Sequence, residues 1–103
     1  MSEGYPRQLV ATSVRYGAPG DEAAFFFWLS RIGCVGEYWG HVHDLNIPIQ
    51  RRPTRDELRE LIALFHRYNV EMTQLAAFET KANRAWFKRP EAYWHDGVFG
   101  RPS

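Results

Sequence analysis

The chain has 103 residues, of which 45% are hydrophobic and 24% charged, and 13 Lys and Arg against 12 Asp and Glu give a net charge of +1. A chain of this length forms one core, so we expect a single domain over residues 1–103, with a core at about 7–79 and a C-terminal extension at 80–100. Balanced charge argues against nucleic acid as the main partner, and no apolar run approaches the ~20 residues that cross a bilayer.

A strand and a helix are predicted first along the chain. Residues 8–16 carry apolar side chains in both alternating sets, which predicts a strand covered on both faces. After the break at 17–20, acidic residues predict a helix N-terminus near Asp21. We expect this helix to run to Ile32 and to end at Gly33 in a left-handed cap. Two phenylalanines lie off its apolar stripe, Phe26 and Phe27.

The next segment, residues 34–50, reads as two strands or as one long bent strand. We place a hairpin turn near Gly40 to His43, between the short extended piece CVGEYW and the alternation of Leu45, Ile47 and Ile49. Pro48 fits poorly inside a strand, since proline has no N–H to donate to a neighbouring strand.

The second helix has the clearest start signal in the sequence. Thr54 followed by Glu57 is a capping box, in which each side chain bonds the free backbone N–H of the other residue. Asn69 is a plausible stop. The buried stripe is expected to comprise Leu58, Leu61, Ile62, Phe65 and Tyr68.

Residues 71–79 alternate again and predict a final strand. The order strand, helix, strand, strand, helix, strand is that of the α+β ferredoxin-like βαββαβ sandwich, in which two helices cover one face of a four-stranded sheet. The other face is bare in that arrangement, and we expect it to carry Leu9, Ala11 and Phe78. A bare apolar face invites association.

The aromatic-rich C-terminal extension is predicted to cover part of that face, in the same chain or in a second subunit. Pro90 suits the start of a short helical turn, and Gly97 suits its end. Burying each large apolar side chain contributes ~1.5–3 kcal/mol, which exceeds the cost of ordering the segment only if most are covered together. The rings in question are Trp86, Phe87, Tyr93, Trp94 and Phe99.

Histidines suggest a possible metal site. His41 and His43 alternate on a strand and would therefore point the same way, with His95 as a distant third candidate. Further possible ligands are Glu37, Asp44, His66 and Asp96. No spacing specifies a third ligand, so a hydrated turn is the favoured interpretation, and we expect neither a metal nor another cofactor.

Cys34 is the single cysteine and therefore forms no internal disulfide. It follows the predicted end of a helix, where the negative dipole raises the pKa of a thiol and opposes its activation as a nucleophile. We expect a buried structural thiol.

Arginines outnumber lysines by 11 to 2, and they cluster around the second helix and within the tail. The first group is Arg51, Arg52, Arg55 and Arg59, and the second is Arg84 and Arg89 with Lys88. They could grip an acidic partner, or single-stranded RNA with Trp86 and Trp94 as stacking platforms. Acidic residues at 56, 57 and 60 interleave with the first group, which favours a locally paired, solvated helix face and makes RNA binding the weaker interpretation.

The abundance of Trp, Tyr, Phe and Arg predicts a non-catalytic module that acts through protein contacts. We expect a small bacterial cytoplasmic protein that forms a homodimer or caps a partner protein, as immunity, antitoxin or regulatory subunits do. The alternative is a small histidine-dependent or metal-binding enzyme that uses a cleft between sheet and tail. The candidate partner-binding residues are Trp86, Phe87, Arg89, Tyr93, Trp94 and Phe99.

Overall fold

A computed structural model of the protein describes residues 4–100 as a three-stranded antiparallel sheet combined with helices. The strands β1 (Gln8–Thr12), β2 (Trp39–His41) and β3 (Asp44–Pro48) lie in the order β1-β3-β2. The helices are α1 (Pro19–Ser30), α2 (Arg55–Arg67), a 3₁₀ helix (Thr73–Phe78), α3 (Arg84–Phe87) and α4 (His95–Phe99).

The ferredoxin-like prediction is wrong, because residues 71–79 form no fourth strand. Most of this segment is the 3₁₀ helix, which buries Leu75 and Phe78. The Gln74 side chain accepts a hydrogen bond from the N–H of Val10 (2.9 Å) and donates one to its carbonyl (2.8 Å). One side-chain amide thus satisfies the backbone groups of β1 that a fourth strand would have paired.

The two faces of the sheet are exchanged relative to the prediction, because the face that carries Leu9 and Ala11 packs in the core and is not bare. Residues that pair directly across an antiparallel ladder share a face of the sheet. Leu9 pairs with Ile47, and Ala11 lies two residues after Leu9 on the same strand, so these three side chains point to the same face. These three side chains are buried and belong to the same core cluster as the apolar residues of both long helices. The outer face instead carries Val10 and the 54% exposed Trp39.

The hairpin is confirmed at the predicted place. His41 pairs with Asp44, which leaves a two-residue turn of Val42 and His43. Val42 has a φ of 57°, a left-handed conformation that β-branched residues rarely adopt. Pro48 is the last residue of β3, so its missing N–H falls at the end of the strand.

The start of α2 is confirmed as a capping box. The N–H of Glu57 donates to Thr54 Oγ1 at 3.2 Å, and the N–H of Thr54 donates to Glu57 Oε1 at 2.9 Å. The predicted stripe is buried, and Leu64 is buried with it. Asn69 follows the helix with a φ of 56°, as its predicted role as a stop requires.

The first helix starts and ends earlier than predicted. It begins at Pro19 and ends at Ser30, with Arg31 at its C-cap in a right-handed conformation (φ −89°). The N–H groups of Arg31 and Ile32 close the last turn on the carbonyls of Trp28 and Leu29. The predicted left-handed cap at Gly33 is therefore wrong, because the chain needs no positive φ to leave this helix.

The tail is docked, but not on the bare face of the sheet. Phe87, Trp94 and Val98 are buried in the core, and α4 packs against the 3₁₀ helix. Gly97 does not close a helical turn. It lies inside α4, where a Cβ would come within 3.1 Å of Met72 Sδ, so the absence of a side chain permits this contact. Pro90 does open a turn between α3 and α4, as predicted, because the N–H of Ala92 donates to the carbonyl of Arg89 at 3.0 Å with Pro90 at the second position.

Candidate protein-interaction surface

The arginines singled out by the sequence differ in whether the chain neutralises them. Arg51 forms a two-pronged ion pair with Glu57, with N–O distances of 2.6 and 2.7 Å. Arg84 and Lys88 both pair with Glu79. These three cations are therefore engaged within the fold, and the locally paired helix face predicted for the first arginine group is present at Arg51 and Glu57.

Arg55 and Arg59 are different. They lie one turn apart on α2, and within residues 4–100 neither comes within ion-pair distance of a carboxylate. Their guanidinium carbons instead lie 5.4 and 5.8 Å from the centroid of the Trp86 ring. A cation over an aromatic face gains ~0.5–1 kcal/mol at an exposed site and keeps its N–H donors free for another acceptor.

Tail residues complete a groove of about 340 Å³ beside these arginines. Tyr93 is 58% exposed at its edge, and Arg89 is exposed and pairs with Glu91 at 3.1 Å. Burial raises the pKa of Tyr93, while the charge of Arg59 acts against that shift, so the phenol is a neutral donor at pH 7. We call this region the arginine–tryptophan surface; it comprises Arg55, Arg59, Trp86, Arg89 and Tyr93, and the same groove is also lined by Glu91, Ala92 and Trp94.

The other predicted partner-binding residues hold the tail in place. Trp94 is only 8% exposed, and its indole N–H donates to the carbonyl of Phe87 at 2.6 Å. Phe87 is fully buried and offers no surface to a partner. The Phe99 ring packs on Phe87 with centroids 5.0 Å apart, and it is half-buried. Trp86 packs against Phe87 and Trp94, and Tyr93 packs against Trp94, so these rings support the two side chains from below.

The candidate metal-binding histidines are not brought together. His41 ends β2, whereas His43 lies in the hairpin turn, so the strand alternation that would align them stops between the two. His95 lies on α4 beside Asp96, at 3.3 Å between Nδ1 and Oδ1. In the described part of the chain, no three His, Cys, Asp or Glu side chains are grouped so as to hold a metal ion.

Cys34 is fully buried, as predicted. Burial raises the pKa of its thiol to about 11, and the negative charge of Glu57 adds to this shift. The thiol is therefore protonated at neutral pH and is not an activated nucleophile.

A second groove, of about 570 Å³, was not predicted from the sequence; it lies between α1 and α2. Phe27 is 64% exposed in it, and Arg31 lies over the Phe27 ring at 5.4 Å. The Trp28 indole donates to Glu60 Oε2 at 3.1 Å. We call it the acidic groove, because Asp56, Glu57 and Glu60 line it. The signal for it in the sequence was Phe27, one of the two phenylalanines off the apolar stripe of the first helix.

Comparisons of the chain with protein-family models, with curated proteins and with solved structures found no match. The longest helix among residues 4–100 has 13 residues, and none of the helices described there is long and apolar enough to span a membrane. The arrangement of side chains is therefore the basis for any functional proposal.

Proposed function

We propose that this protein is a non-catalytic interaction module that binds an acidic segment of a partner protein through the arginine–tryptophan surface. The observation that supports this proposal is the pair Arg55 and Arg59, which have no carboxylate within the described chain and lie over Trp86. Guanidinium groups bind carboxylates through two parallel hydrogen bonds. Stacking on the ring restricts the two side chains before a partner arrives, which lowers the entropic cost of binding.

The composition of the surface supports a protein partner over RNA. Trp, Tyr and Arg are the residues that dominate the energetics of protein interfaces. Single-stranded RNA requires open aromatic faces for its bases. Trp94, the second predicted stacking platform, is buried, and the face of Trp86 is approached by two guanidinium groups. Carboxylates can bind to the guanidinium edges without displacing either group.

The test is a binding titration with a fluorescently labelled polyglutamate peptide. Arg59→Glu should weaken binding at least tenfold, because it replaces an attractive charge by a repulsive one. Arg31→Glu is the matched control, since it changes the net charge equally but lies over Phe27 in the acidic groove. Its affinity should stay within about twofold of wild type. Equal weakening by both variants would show that only net charge matters and would overturn the proposal.

Two further measurements separate the partner classes. A single-stranded RNA oligonucleotide is titrated under the same conditions, and tighter binding of RNA than of the peptide would contradict an acidic protein segment as the ligand. The mass in solution is measured for wild type and Arg59→Glu. A dimer that this substitution dissociates would identify a second copy of the chain as the partner at this surface and would overturn the proposed acidic partner.

A further inference from the structure

Another cleft shares Arg55 and Trp86 with the arginine–tryptophan surface. It has a volume of about 370 Å³ and lies between the start of α2 and the segment that leads from the 3₁₀ helix into α3. We call it the Trp86 cleft. Its apolar lining comes from Pro53, Leu58, Phe78, Ala82 and Trp86.

Two of the polar side chains that line the Trp86 cleft, Thr80 and Asn83, are already hydrogen-bonded within the fold. Asn83 Oδ1 accepts from the N–H of Thr80 at 2.7 Å, and its Nδ2 donates to the carbonyl of Phe78 at 2.8 Å. Thr80 Oγ1 accepts from the N–H of Asn83 at 3.1 Å. A polar ligand group would have to compete with these bonds, whereas an apolar group would leave them intact. The part of the cleft formed by Thr80, Asn83 and the apolar lining therefore favours an apolar side chain, whereas Arg55, which also lines the cleft, can bind a carboxylate beside it.

Size and position connect the cleft to the proposed partner site. A volume of about 370 Å³ is near the lower end of the ~300–1,000 Å³ of small-ligand sites and suits one large side chain. Arg55 and Trp86 line both this cleft and the arginine–tryptophan surface. A peptide that crosses Trp86 can therefore place an apolar side chain in the cleft and its carboxylates on Arg55 and Arg59.

From this juxtaposition we infer that the acidic segment carries a large apolar side chain, aromatic or leucine, that inserts into the Trp86 cleft beside its carboxylates. This inference rests on the proposed function and specifies its ligand further. Electrostatic attraction to the arginines accelerates association and is reduced by salt, whereas a buried anchor slows dissociation. The anchor would distinguish the true partner from other acidic chains.

The experiment uses two labelled peptides of equal length and charge, both rich in glutamate, one with a single central tryptophan and one with alanine there. Wild type should bind the tryptophan peptide about tenfold more tightly. Ala82→Phe fills the cleft and should abolish this preference without changing the affinity for the alanine peptide. Ala82 is exposed in a turn, so a larger side chain there does not disturb the core. Ala85→Phe is the matched control outside the cleft lining and should retain the preference.

The outcomes separate the two proposals. Equal binding of both peptides by wild type would overturn the anchor while leaving the arginine–tryptophan surface supported. Binding of neither peptide would contradict the proposed function itself, and the anchor with it. Loss of the preference in Ala85→Phe as well as in Ala82→Phe would also overturn the assignment of the anchor to this cleft. The wild-type comparison requires no variant to fold.

Discussion

The two sides of α2 carry opposite charge, and they differ in whether the charged side chains are bonded to groups within the fold. On the side of α1, Glu57 is held by Arg51, and Glu60 accepts a hydrogen bond from the Trp28 indole. On the side of the tail, Arg55 and Arg59 lie over Trp86 without a carboxylate partner in the described chain. Charges that are paired within the fold contribute to its stability, whereas unpaired arginines remain available to a partner. One helix therefore separates a face whose charges are bonded within the fold from the face at which we propose that a partner binds.

The largest expected effect comes from truncating the buried ring of Phe87, which packs against Trp86 of the arginine–tryptophan surface. Phe87→Ala should destabilise the protein by ~3–5 kcal/mol, because it leaves a cavity beneath the tail, and Phe87 is fully buried. Tyr93→Ala is the control, since this ring is 58% exposed. Chemical denaturation measures both. A loss below ~1 kcal/mol for Phe87→Ala would mean that the tail contributes little to the fold.

A smaller effect is expected where the 3₁₀ helix supporting the tail is joined to the sheet. Gln74→Leu removes both hydrogen bonds to the backbone of Val10 and should cost ~1–3 kcal/mol. Gln8→Leu is the control, because it removes a single amide hydrogen bond from the same strand. If the two variants unfold at the same denaturant concentration, the hydrogen bonds of Gln74 to the edge strand contribute no more to stability than the single bond of Gln8.

On the stabilising side, the test is a pH series. The hydrogen bond from Arg51 lowers the pKa of Glu57 to about 2, whereas an unfolded glutamate titrates near ~4.3. A lowered carboxyl pKa stabilises the fold above the unfolded value, and this contribution disappears as the pH falls from ~4.3 towards 2. Glu57→Gln should therefore cost ~1–2 kcal/mol at pH 7, after allowance for solvent screening, and almost nothing at pH 2.

Glutamine at this position still accepts the N–H of Thr54, so the helix cap is kept and the ion pair alone is lost. Urea unfolding at several pH values gives the difference between wild type and variant. A difference that is the same at pH 7 and pH 2 would exclude the ion pair as its cause.

The smallest effect is expected for the unpaired arginines. Arg59→Met keeps an unbranched side chain beside Trp86 and removes only the cation, so its cost in stability should be below ~1 kcal/mol. Thermal unfolding measures this, and binding of polyglutamate by the same variant should fall. A loss of stability as large as that of Glu57→Gln would show that the two sides of α2 do not differ as proposed.

Local signals in the sequence were sufficient for some elements. The capping box needs only Thr54 and Glu57, three residues apart, and the hairpin needs only its flanking alternation, so both were predicted correctly. The alternation at 71–79 predicted the wrong element, because the buried residues Leu75 and Phe78 are three positions apart, which places them on one face of a 3₁₀ helix but on opposite faces of a strand. The position of that segment beside β1 is fixed by the hydrogen bond between Gln74 and Val10, which are 64 residues apart.

The second helix, its cap and its buried stripe follow from local residue patterns, and the same patterns identify the aromatic tail as a segment that must be buried. What the tail packs on, and which arginines have no carboxylate partner in the described chain, depend on the folded arrangement of distant segments. The reason is distance along the chain: caps and stripes depend on neighbours within one or two turns, whereas the contacts of Arg55 and Arg59 depend on where the fold places Trp86, a residue of the distant tail.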